Sequence, residues 1–138
     1  MELVKYEKED YALLLEWFAQ YSWTPCDQAC IPVHSYFVVR DGAKIGFSCF
    51  LSTDCSVAIM GMTISDKNAK NKTEAIDFLT SNLIEIAKKD GYDYLHYYTD
   101  SEVMVDRMEK QGLKVTDRGT AYILIGDLGG GRTKFFEE

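Results

Sequence analysis

The stretch YFVVRDGAKIGFSCFLST, residues 36–53, leaves the chain little freedom of local structure. Two runs rich in β-branched and aromatic residues flank Asp41-Gly42, a dipeptide suited to the positive φ angles of a two-residue hairpin turn. Two antiparallel strands are predicted. A second turn at Asp54-Cys55-Ser56 leads into residues 57–65, extending the hairpin to a meander of three strands.

The hydrophobic period then changes. Ala75, Ile76, Leu79, Leu83, Ile86 and Ala87 fall on one helical stripe, Asn71 and Glu74 have the spacing of a capping box, and Gly91 stands where a C-terminal cap would. Ahead of the meander, residues 1–6 read as a short strand, and Leu14, Trp17, Phe18 and Tyr21 recur at helical spacing. Residues 22–33 hold both prolines, Pro25 and Pro32, so any helix there is short. Behind the long helix, YDYLHYY (92–98) is an aromatic strand, and residues 101–112 form a compact helix with Ser101 as N-cap. Residues 113–128 then give two β segments about Asp117-Arg118-Gly119. This order predicts an α+β (mixed α/β) fold, with helices covering a mostly antiparallel sheet.

A chain of 138 residues fits one domain, here 1–128, followed by GGGRTKFFEE (129–138) as a flexible tail. The net charge of −7 opposes general attraction to nucleic acid or anionic lipid, so neither is an expected partner. No apolar run reaches membrane-spanning length, and Glu2 and Lys5 stand where a signal peptide would be apolar. The expected compartment is the cytoplasm. Cys26 and Cys30 have a C-x-x-x-C spacing, but a zinc site needs two more ligands and His34 and His96 are the only histidines. The expectation is free thiols and no metal, and His96 reads as a partly buried sheet residue.

From about Met1 to Leu128 the chain resembles the GNAT superfamily of N-acetyltransferases. The residues that carry this are VVRDGAKIGF, similar to the family's strand–turn–strand ending in glycine; MTISDKN, where its fourth strand leaves the sheet; and DRMEKQGL, similar to its late helix. Within the superfamily it looks most like the short divergent proteins encoded by bacteriophages. The resemblance implies a central twisted sheet of six or seven strands flanked by about four helices. It also implies acetyl-CoA or CoA bound where the fourth and fifth strands part, with pantetheine against the strand around Met62 and Ile64. Pyrophosphate would rest on the next helix N-terminus, where amides and the helix dipole favour an anion.

The family writes that turn as Q/R-x-x-G-x-G/A, and this chain has Asn68, Asn71 and Thr73 at the three defined positions. Both glycines are absent. Asn71 tolerates the left-handed conformation glycine would supply, and Lys67, Lys70 and Lys72 add positive charge. A solvated loop with Asn71 as helix cap is the plain alternative, and residue types do not separate the two.

Acetyl transfer to an amine calls for a base and an acid. The family often uses a fourth-strand glutamate and a tyrosine four residues before the late helix's closing glycine. Here SVAIMGMTIS has no carboxylate and that tyrosine position is Met108. The substitute candidates are Tyr97, Tyr98 and Asp100, with Tyr94 or Ser101 behind them. The implied function is acetyl transfer from acetyl-CoA to a small amine or protein amino group, with degenerate motifs. A catalytically silent GNAT-fold binding or structural protein, such as a phage accessory or virion component, is the alternative. Homodimerisation through the edge strand after Gly119 is a further expectation.

Overall fold

The computed structural model describes residues 1–115, and in it the meander forms as the sequence predicts. Asp41 and Gly42 both take positive φ, 52° and 78°, which matches the turn to the right-handed twist of its strands. The elements in order are β1 (Glu2–Lys5), α1 (Tyr11–Gln20), β2 (His34–Arg40), β3 (Ala43–Leu51), β4 (Val57–Ser65), α2 (Lys72–Lys89), β5 (Tyr94–Tyr97) and α3 (Glu102–Lys110). Single 3-10 turns occupy Lys8–Asp10 and Gln28–Cys30. The proline-bearing segment therefore holds no α-helix.

The sheet order is β1-β2-β3-β4-β5, antiparallel except for the parallel β4–β5 pair, which α2 connects as a crossover. The class is the expected α+β arrangement. The described residues hold five strands and three α-helices, fewer than the resemblance implied. The turn at Asp117-Arg118-Gly119, the strand proposed as a dimer edge and the 129–138 tail lie outside the described residues.

Helices cover both faces. On one, Ala75, Ile76, Leu79 and Leu83 of α2 pack on Val38, Phe50, Ala58 and Met60; on the other, Leu14, Trp17 and Phe18 of α1 pack on Phe37, Phe47 and Ile64. Strand β4 contributes to both cores. Ala58 and Met60 face α2, whereas Met62 and Ile64, also even-numbered, face α1. The cause is a β-bulge: Phe47 pairs with Ile64 and Cys49 with Gly61, so β4 spends one extra residue there, with Met62 at φ 53°. Simple alternation along the strand could not reveal this switch.

Ser101 caps α3 as expected, accepting from the Met104 amide at 3.3 Å, and Gly112 follows with φ 98°. The capping box at α2 does not form. Asn71 is left-handed, with φ 54° and ψ 40°, and its side chain makes no cap bond, because a cap side chain reaches back to the helix amides from extended backbone.

Candidate functional site

The parallel β4–β5 ladder runs from Val57 opposite Tyr94 to Met60 opposite Tyr97, and closes when the Tyr98 amide donates to Met60 O at 3.3 Å. Beyond that point the strands part. Among the described residues, 61–65 of β4 have no backbone partner on the β5 side. That free edge runs through Met62 and Ile64 into the 66–71 loop and the first turn of α2. A strand with unused hydrogen-bonding groups thus leads straight to a helix N-terminus, whose leading amides lack intrahelical acceptors.

The loop is pinned from several sides. Asp66 Oδ1 accepts from the Asn68 amide at 3.0 Å and from Gln20 Nε2 at 3.1 Å, while the Lys67 amide donates to Gln20 Oε1 at 2.8 Å. Arg40 donates to Lys70 O at 2.6 Å and Asn71 O at 3.4 Å, and Lys72 Nζ to Lys67 O at 3.0 Å. Arg107 of α3 reaches the same turn, bonding Thr73 O at 3.1 Å and Asp77 Oδ2 at 2.9 Å. Carbonyls are drawn towards these cations, Lys70, Asn71 and Thr73 are exposed, and Lys72 is half-buried. The fit to a pyrophosphate is partial. A left-handed Asn71, an uncapped helix and clustered cations suit an anion, whereas Asp66 places a carboxylate on the Asn68 amide.

The candidate proton-handling residues separate. Tyr97 turns to the α2 face and donates from Oη to Thr63 Oγ1 at 2.9 Å, so its hydroxyl lies beside β4 beyond the last ladder rung. Burial pushes its phenol above the ordinary value, opposed by the Thr63 hydrogen bond. Tyr98 lies on the opposite face, 53% exposed, with its ring edge-on to His96, itself an exposed residue. Asp100 is exposed past the strand end, and Tyr94 sits at the far end of the ladder. Met108, where the family tyrosine was sought, is buried in the α2 core. Of the three candidates, Tyr97 alone has a side chain bonded to β4.

No protein-family model matches the chain, and no curated protein matches it. Solved structures do. An acetyltransferase of Trypanosoma brucei superposes with a TM-score of 0.68 at 17% identity, over 89% of this chain and 99% of that one. An aminoglycoside N-acetyltransferase, AAC(6')-Iy, in complex with CoA gives 0.61 at 16%, over 89% and 93%. A transcriptional regulator from Bacillus halodurans gives 0.67 at 13%, over 89% and 99%. The fold is that of the GNAT acetyltransferases.

On that GNAT fold, sequence reading passed over Ser48, Thr63, Arg40, Gln20 and Asp66. Ser48 carried the only local signal, as a hydroxyl in the otherwise apolar run IGFSCF; it is fully buried and lies 2.9 Å from Thr63 Oγ1. All four cysteines are free thiols, and no three His, Cys, Asp or Glu side chains converge as metal ligands among the described residues. No helix among them is long and apolar enough to cross a membrane. A cavity of about 650 Å³ runs along β5 between the ends of α2 and α3; no β4 residue lines it, but Tyr97 and Tyr98 do.

Proposed function

We propose that the protein is an acyl-CoA-dependent N-acetyltransferase of the GNAT type, transferring an acetyl group from acetyl-CoA to an amine. The observation that carries this reading is the parting of β4 and β5 after Met60, which connects a free strand edge to the uncapped N-terminus of α2. The β4 backbone at Met62 and Ile64 would hold pantetheine, and Asn68, Lys70, Asn71, Lys72 and Thr73 the phosphates. Bound acetyl-CoA supplies the activated acyl group. Tyr97 is the proton donor for the departing sulfur, because a phenol held neutral by burial has a proton to give. Tyr98 and Asp100, on the exposed side of the strand end, face an incoming amine from solvent. The protein works in the cytoplasm, bacterial or phage-infected, with a small amine or a protein amino group as acceptor.

Thermal unfolding with CoA tests the reading. A ligand at one hundred times its Kd stabilises by about 2.7 kcal/mol. Millimolar CoA should raise the melting temperature, and Lys70→Glu and Lys72→Glu should each reduce the rise. A melting curve unmoved by millimolar CoA would sink the proposal.

A second reading is a GNAT-fold binding or structural protein without catalysis, such as a phage accessory or virion component. Met108 favours it, since a buried thioether occupies the place of the family's acid. Turnover of acetyl-CoA with any amine eliminates this alternative.

A further inference from the structure

Three hydroxyls cross the sheet where β4 bulges. Tyr97 Oη of β5 donates to Thr63 Oγ1 of β4 at 2.9 Å, Thr63 lies 2.9 Å from Ser48 Oγ of β3, and Ser48 donates to Gly61 O at 3.3 Å. A hydroxyl has one hydrogen and two lone pairs, so the chain has a polarity. With Ser48 giving its hydrogen to Gly61 O, Thr63 gives its own to Ser48 and Tyr97 gives its own to Thr63. All three hydrogens are then used within the chain or on Gly61 O, and none is left for a ligand.

We propose that Ser48, Thr63 and Tyr97 form a reversible hydroxyl chain, in which Thr63 is the positioning residue that lets Tyr97 turn its hydrogen towards a ligand in the β4–β5 opening. In the reversed polarity Ser48 donates to Thr63, Thr63 donates to Tyr97, and Tyr97 is free to donate outward. Only the Ser48–Gly61 bond is lost. It is the longest of the three, and Gly61 O keeps the Cys49 thiol as a donor at 3.5 Å. The two 2.9 Å contacts serve both polarities, because a hydroxyl pair at that distance bonds whichever oxygen donates. Reversal therefore exchanges one weak internal hydrogen bond for one to the ligand.

The use of this chain rests on the acetyltransferase reading. As the carbon–sulfur bond of the thioester breaks and the carbon–nitrogen bond forms, the departing thiolate takes the Tyr97 proton. Thr63 then donates to the phenolate, and the proton released by the acetylated amine restores the phenol through solvent. Ser48 holds the Thr63 oxygen so that its hydrogen stays aimed at Tyr97.

The test needs no ligand, so its outcome is independent of whether CoA binds. 3-Fluorotyrosine placed at position 97, whose phenol is more acidic than tyrosine, is titrated by fluorine NMR in the parent and in Thr63→Val, Thr63→Ser and Ser48→Ala backgrounds. A Thr63 that donates to the phenolate stabilises it, so Thr63→Val should shift the midpoint up, Ser48→Ala should shift it up less, and Thr63→Ser should keep the parent value. An unchanged or lower midpoint in Thr63→Val would make Thr63 an acceptor only and overturn the proposal. Should the valine variant fail to fold, the same decision falls to Ser48→Ala, with an upward midpoint in support and an unmoved or lower one against.

Discussion

Gly46 on β3 faces α2 so closely that a single methyl group tests how the helix is seated. A Cβ built there would lie 2.6 Å from Ile76 Cδ1, and 3.4 Å from both Ile64 O and Val38 Cγ1. Carbon atoms rest at about 3.5–4.0 Å, so the Ile76 tip must retreat by about 1 Å inside a buried contact. Overpacking of this kind costs about 1–3 kcal/mol, and replacing a strand glycine returns about 0.5–1 kcal/mol of backbone entropy. Gly46→Ala should therefore destabilise by about 0.5–2 kcal/mol. Ile76→Val removes the very atom that clashes and alone costs about 0.5–1.5 kcal/mol. In the double variant the alanine methyl enters the space that Cδ1 vacated, so the two costs do not add. The coupling should be about 1–2 kcal/mol in favour of the double variant, within the span seen for residues in contact. Urea unfolding of the four proteins with equal m-values measures it. Additivity to within about 0.5 kcal/mol would refute the claim that Ile76 is what Gly46 makes room for.

Three further outcomes follow from the thiols and the α2 junction. The Thr53 hydroxyl, 3.3 Å from the Cys55 sulfur, holds that exposed thiol below its ordinary pKa, whereas burial pushes Cys49 up to about 12. Iodoacetamide near neutral pH should modify Cys55 before Cys49, by mass spectrometry, and Thr53→Val should slow the Cys55 reaction. In the unfolded chain Cys49 ionises near 9.0, so its stabilising contribution is complete below that pH and is lost as pH rises towards 12; urea unfolding across this range should show the decline, flattened in Cys49→Ala. At Asn71, φ of 54° favours glycine and penalises Cβ-bearing residues that lack an amide or carboxylate to compensate. Asn71→Ala should cost about 1 kcal/mol, and Asn71→Gly should be neutral or slightly stabilising, by thermal unfolding.

What the sequence makes legible is local. Asp41-Gly42 between β-branched runs, the apolar stripe of α2, and Ser101 and Gly112 around α3 all depend on neighbours within a few residues, and each is found in the structure. Asn71 shows the limit of such rules. Its spacing to Glu74 reads as a capping box, but Arg40, from a hairpin some thirty residues earlier in the chain, engages the carbonyls of Lys70 and Asn71, and the residue turns left-handed instead. The same limit hides the Gln20 clamp on Asp66 and Lys67, and the chain from Ser48 to Thr63 to Tyr97, whose partners meet only when β3, β4 and β5 align. Tyr97 was nameable as an aromatic strand residue near the opening. Its separation from Tyr98 follows from the pleat, but which face each would meet depended on where α2 packs.

The extra residue near Met62 carries a consequence for how this strand can change over generations. With the bulge in place, the even-numbered residues before it answer to α2 and those after it to α1, so the two halves of β4 can drift under separate packing demands. Deleting Met62 would restore regular pairing with β3. It would leave Ile64 opposite Phe47 on the α1 side and Thr63 on the α2 side, because the extra residue is itself what offsets the alternation. The length of β4 should therefore be free to change by this one residue, as in the 52–56 turn, whereas a residue added or lost while the bulge persists would exchange the faces that Thr63 and Ile64 meet.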